Sequence, residues 1–184
     1  SLSGHKFGAP KGSGLLYVRS RFALEPVLHG GGQEHGYRSG TQNVAWAVAM
    51  ATALNALPDP ALARSKASAV TSAFIDAVLT NHQIAALSGP QPGTGKRHPA
   101  IASFTFAGIN GETLLLELEN AGVICSSGSA CAAGSTDPSH VLVATGMDVD
   151  QCRTAVRFSF SHDASSDEAA QALRALEIAL ARLG

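Results

Sequence analysis

The stretch "ICSSGSACAAGS", residues 124–135, carries two cysteines six positions apart among Ser, Gly and Ala. A buried structural cysteine ordinarily sits among larger apolar neighbours. Cys131 has only small residues on both sides, so the sequence predicts an exposed thiol on a long loop, the setting a reactive thiolate needs. Cys125 closes the apolar "GVIC" and Cys152 lies in "DQCRTAV"; both read as structural thiols. Three cysteines are an odd number and too few for a disulfide framework. None forms the close Cys-x2-4-Cys pair of a structural zinc site, so no metal is expected. Free thiols in a reducing, cytoplasmic setting remain.

Three further places could do chemistry. In "SGHKFGAPKGSG" Lys6 stands between a histidine and an apolar residue, in a Gly-rich loop ahead of an apolar run. A lysine there suits attack on an aldehyde, because burial and nearby cations raise the share of neutral amine. Ser3 and His5 beside it can hydrogen-bond a phosphate. A surface lysine in a turn has the same spacing. "HGGGQEHGYRSGT" can bring backbone N–H groups to an anion, with the hydroxyl of Thr41 added. It is neither a P-loop nor a dinucleotide fingerprint, and a loop that merely needs positive φ would look alike. Arg157 in "AVRFSFS" alternates with core residues. Either it points into a cleft and grips a carboxylate with its two-pronged guanidinium, or it lies on an exposed strand edge.

The elements that must position these residues follow from periodicity. "SGLLYVRS" (13–20) predicts a buried strand, and "NVAWAVAMATALNAL" a helix capped by Thr41 or Asn43. "PDP" (58–60) breaks the chain, and a junction is expected near residues 57–62. Residues 61–81 repeat apolar side chains at helical spacing, with Val70, Phe74, Ile75, Val78 and Leu79 toward a core. After a polar loop (91–100), "IASFTFAG" alternates as a strand, "GETLLLELENAG" is a short helix stopped by Gly122, and "VIC" a brief strand. "DPSHVLVATG" predicts a helix with Pro138 early, "TAVRFSFSH" a strand with Val156, Phe158 and Phe160 on one face, and residues 165–183 a capped amphipathic helix. The fold class is α/β. Residues 58–184 form an α+β small domain, and residues 1–57 are too poor in elements to bury a core alone.

Hydrophobic residues make up 45% and charged ones 15% of the 184, which marks a folded chain. The formal net charge of −1 gives no electrostatic case for nucleic acid or an anionic membrane. No apolar run approaches the ~20 residues of a membrane span. The first ten residues hold no apolar signal-peptide core.

"SGHKFGAPKGSGLLYVR", "HGGGQEHGYRSGT" and "SSGSACAAGSTDPSHVL", in this order, resemble the cysteine desulfurases of the NifS and IscS group, over nearly the whole chain. The resemblance implies a homodimeric enzyme of the class-V aminotransferase family, with fold type I and pyridoxal 5'-phosphate (PLP) as cofactor. Such an enzyme converts L-cysteine to L-alanine and passes the sulfur to a sulfur-acceptor or iron–sulfur scaffold protein. It implies roles by motif: Lys6 as the Schiff-base lysine, and Ser3, Gly4 and His5 at the phosphate. Thr41 would reach the partner subunit's phosphate, Arg157 would hold the substrate carboxylate, and Cys131 would carry the persulfide. In the family, the residues that stack on and pair with the PLP ring precede the lysine. The chain is therefore expected to be a C-terminal portion: the tail of the large PLP-binding domain, then the small domain, inactive alone. A different class-V lyase or aminotransferase, and a sulfur-carrying or dimerising module without PLP, are the alternatives.

Overall fold

The computed structural model describes residues 1–20, 22–127 and 138–184. They divide into two compact units, Ser1–Asp59 and Pro60–Gly184.

In the first unit a two-residue ladder pairs β1 (Leu2–Ser3) with β2 (Gly14–Leu15), antiparallel. The buried strand expected over 13–20 is cut to these two residues, and Leu15, Leu16, Tyr17 and Val18 are exposed. A continuous apolar run is buried only where neighbours cover both faces of its strand. Within this unit it has one two-residue neighbour. Helix α1 (Val44–Asn55) starts at Asn43, whose Oδ1 accepts from the Trp46 N–H at 3.2 Å, so Asn43 and not Thr41 is the cap. Of its apolar residues α1 buries Met50, while Val44 and Val48 stay exposed.

The second unit runs α2 (Pro60–Asn81), β3 (Ala85–Leu87), β4 (Ile101–Phe106), α3 (Gly111–Asn120), α4 (His140–Ala144), α5 (Val149–Arg153), β5 (Ala155–Ser159), α6 (Ser166–Leu183). The strands form an antiparallel sheet in the order β3-β4-β5. Alternation along β4 sets its two faces: Ala102, Phe104 and Phe106 are buried, Ile101, Ser103 and Thr105 half-buried. Register places Phe104 opposite Val156 and Ala102 opposite Phe158, so the apolar residues share one face. Helices α2, α3 and α6 cover it through Phe74, Ile75, Val78, Leu114, Leu118, Leu176 and Ala179. This is helices on one face of an antiparallel sheet, the α+β arrangement. Val70 and Leu79, expected in the core, pack at its margin.

Local chemistry sets the helix ends. Asn110 Oδ1 accepts from the N–H groups of Glu112 and Thr113 at 3.0 and 3.1 Å, and Gly122 follows α3 at φ +85°. Ser165 and Glu168 form a reciprocal capping box at the start of α6.

Elsewhere the structure departs from expectation. "VIC" forms no strand; the pairing falls one residue later, where Ser126 bridges Arg157. The helix expected from Asp137 begins at His140, two residues after Pro138. It stops at Gly146, at φ +93°, before a second short helix, α5, whose cap Asp148 accepts from the Gln151 N–H at 2.8 Å. The polar loop before β4 is closed by Arg97, which donates to the carbonyls of Ser88 and Pro90, both at 2.5 Å, and of Ile101 at 3.1 Å.

Candidate functional site

Ser3 through Lys6 are set by one tight turn. The Gly4 N–H donates to the Ser13 carbonyl at 2.9 Å, and the Gly4 carbonyl accepts from Phe7 and Ala9 at 3.1 and 3.0 Å. A Cβ on Gly4 would meet Ser13 Oγ at 2.1 Å and Ala9 Cβ at 3.1 Å, so a side chain there would force the Ser13 hydroxyl aside and press on Ala9. Gly4–Lys6 is a single 3-10 turn. It buries Gly4 and leaves Ser3, His5 and Lys6 exposed, so hydroxyl, imidazole and amine stand almost consecutively on a pinned backbone. The first unit does not enclose Lys6.

The Gly-rich loop is ordered by its own hydrogen bonds. Gln33 Oε1 accepts from the Gly40 N–H at 2.9 Å, the Ser39 N–H donates to Leu28 at 3.2 Å, and the Gly36 N–H donates to Gly32 at 3.0 Å. Between these ties Glu34 and His35 hold left-handed backbone, at φ 50° and 56°. Non-glycine residues there cost about 1–3 kcal/mol each, and such strain clusters at functional sites. Gln33, Glu34 and His35 were not singled out from sequence, because only backbone angles mark them. Thr41 follows the loop and is exposed.

In the second unit Arg157 occupies the middle of β5, half-buried, on the sheet face away from the helices. Its N–H donates to the Ser126 carbonyl at 2.7 Å, and the Ser126 N–H donates back to Arg157 at 3.2 Å. On the other side Arg157 pairs with Ser103 of β4. It is therefore neither a core residue nor an exposed edge residue.

The thiols separate by environment. Cys125 is half-buried against the core, and burial pushes its thiol up to about 12. Cys152, buried in α5, is raised by burial and then by the negative charge of Asp148. Both fit the structural role expected of them. Cys131 lies outside the described residues. Among the described residues no group of three or more His, Cys, Asp or Glu side chains could hold a metal ion. Among the described residues no helix is long and apolar enough to cross a membrane.

Ser3, Gly4, His5 and Lys6 are thus brought together on one turn of the first unit, and Arg157 stands in the second unit with Ser103 and Ser126. Neither serine was anticipated; alternation in "IASFTFAG" puts Ser103 on the polar face of its strand, but nothing in the sequence gives the pairing register.

Comparison with known proteins matches residues 1–172 to the class-V aminotransferase family. An IscS-like cysteine desulfurase of Mycobacterium tuberculosis is 40% identical over 186 residues, covering 99% of this chain and 46% of that protein. Among solved structures, a NifS-like protein is 31% identical with a TM-score of 0.79, covering 98% of this chain and 45% of that one. SspA, solved in complex with cysteine, is 31% identical with a TM-score of 0.59, covering 85% of this chain and 42% of that one. The chain spans about half the length of the curated relatives it matches.

Proposed function

The chain belongs to the class-V aminotransferase family, which is PLP-dependent, and from that membership we propose that it is the C-terminal portion of a cysteine desulfurase. The observation that carries this reading is the 40% identity to an IscS-like cysteine desulfurase over 99% of the chain, with the Gly4 turn presenting Ser3, His5 and Lys6 together. On this reading the first unit is the tail of the PLP-binding domain and the second is the small domain that carries Cys131.

The Gly4 turn fits a phosphate-bearing aldehyde: an amine for the aldehyde, and a hydroxyl and an imidazole for the phosphate, on a turn where a Cβ at Gly4 would crowd Ser13 and Ala9. Lys6 would hold the aldehyde, Ser3, Gly4 and His5 the phosphate, and Thr41 the phosphate in a partner subunit of the homodimer. When bound, PLP supplies an electron sink for chemistry at the substrate's Cα. Lys6 Nζ moves the proton at Cα, and Arg157 fixes the α-carboxylate of L-cysteine by a bidentate hydrogen bond. The Cys131 thiolate attacks the substrate sulfur. A sulfur–sulfur bond forms as the substrate's carbon–sulfur bond breaks, and the substrate carbon takes up a proton. Thiol plus cysteine thus becomes persulfide plus alanine, with atoms and electrons balanced and no outside oxidant. The persulfide then passes to an acceptor protein with a thiol or an iron–sulfur scaffold.

The test is L-cysteine turnover by the full-length protein that contains this chain. Alanine should form with a persulfide on Cys131, and Cys131→Ala should abolish sulfur transfer. Undiminished sulfur transfer by C131A would refute the assignment and favour another class-V chemistry. Residues 1–184 alone, given PLP and L-cysteine, should yield no alanine.

A further inference from the structure

Arg157 does not stand alone on its face of the sheet. Ser103 is its cross-strand partner on β4, and Ser126 is its partner on the opposite side. Residues directly opposed in an antiparallel ladder project to the same face. Ser103, Arg157 and Ser126 therefore form one row across the sheet. Val156 and Phe158, which flank Arg157 in sequence, point the other way into the core. All three members of the row are half-buried.

The two sides of the row differ in a useful way. Arg157 and Ser126 exchange both main-chain hydrogen bonds, at 2.7 and 3.2 Å. Antiparallel pairs alternate between hydrogen-bonded and non-hydrogen-bonded, so the Arg157–Ser103 pair is of the second kind, where side chains approach most closely. One serine thus fixes the arginine's backbone, and the other stands directly opposite it in the closer kind of pair. A hydroxyl accepts from a guanidinium N–H and can donate to a carboxylate oxygen. Two hydroxyls on the same face as one arginine can add donors to a carboxylate that its guanidinium grips with two N–H groups.

We propose that Ser103 and Ser126 are positioning residues of a carboxylate subsite centred on Arg157, which select an amino acid that bears a free α-carboxylate. The proposal rests on the role given to Arg157 above, and the experiment separates the two. In the full-length holoenzyme, KM and kcat are measured with L-cysteine for Ser103→Ala, Ser126→Ala and Arg157→Lys, with thermal midpoints as a folding check. Each alanine variant should raise KM about fivefold, the scale of one lost hydrogen bond, with kcat changed less than twofold. Arg157→Lys should raise it further.

Thr and Val substitutions at both serines isolate the hydroxyl, since the two side chains share a shape that strands accept. Thr should restore KM and Val should not. Turnover of cysteamine, which lacks the carboxylate, should be equal in wild type and the serine variants. Unchanged KM in the alanine and valine variants, or Thr and Val behaving alike, overturns the row while Arg157→Lys still raises KM. Unchanged KM in Arg157→Lys overturns the carboxylate role of Arg157 itself.

Discussion

The burial of Cys125 makes a quantitative claim about which thiol can react. Burial pushes this thiol from an ordinary 9.0 to about 12. At pH 8 that lowers its thiolate fraction from about one in ten to about one in 10⁴, a loss of roughly 1,000-fold. A more basic thiolate is a better nucleophile, and with a Brønsted slope of about 0.45 a shift of this size returns about 20-fold. The net expectation is a native Cys125 about 40- to 50-fold slower than the same cysteine in the unfolded chain. The assay is a time course with a small aromatic disulfide at pH 8, in buffer and in guanidinium, read by peptide mass spectrometry. Cys152, buried in α5, should be slower in buffer than in guanidinium as well. If native Cys125 reacts within threefold of its denatured rate, the separation of structural from reactive thiols fails, and Cys125 becomes a rival for the sulfur chemistry assigned to Cys131.

The same shift links stability to pH. Because the folded thiol titrates above the unfolded one, the stability it gives is complete below about pH 9 and lost as pH rises toward 12; Cys125→Ala should flatten that alkaline decline in guanidinium melts. Residues 60–184, cut free, should unfold cooperatively on their own, because every residue of the core cluster lies between Phe74 and Leu180; an unfolded product would contradict this. Phe104→Ala removes a fully buried ring that lies 6.0–6.2 Å from those of Phe74, Phe106 and Phe158. It should cost about 3–5 kcal/mol by chemical denaturation. Ser165→Ala breaks the capping box of α6 and should cost about 1 kcal/mol.

What could be read from the sequence was what local chemistry decides. The alternation of β4, the buried positions of α2 and the cap of α6 follow from side chains a few residues apart, so their pattern survives in the linear order. The elements that were missed depend on distant partners. β3 is three residues long and carries no period of its own; it exists because β4 pairs with it. The Arg97 clamp joins carbonyls at Ser88, Pro90 and Ile101, which only the folded loop brings together. Ser126 was passed over because one bridging residue leaves no signal in a strand pattern. The same division runs through the site. Residue types at the Gly4 turn and at Arg157 were legible, whereas their surroundings were not.

The lost strand and the exposure of Lys6 in the first unit have one cause. The strand expected over 13–20 lies exposed at Leu15–Val18, and Lys6 is exposed as well. Both stem from a unit whose described residues form a single two-residue ladder and whose helix buries one large apolar side chain. A backbone turn as tight as that at Gly4 can place the root of a side chain, but it cannot enclose its end. Placement of Ser3, His5 and Lys6 on one turn is therefore a property of the first unit, and enclosure of Lys6 is not. The chain spans about half the length of its curated relatives, and the exposed apolar run at Leu15–Val18 is where a further neighbour would bury most. The row of Ser103, Arg157 and Ser126 needs no such cover, since its register is set wholly within the second unit, whose core is complete.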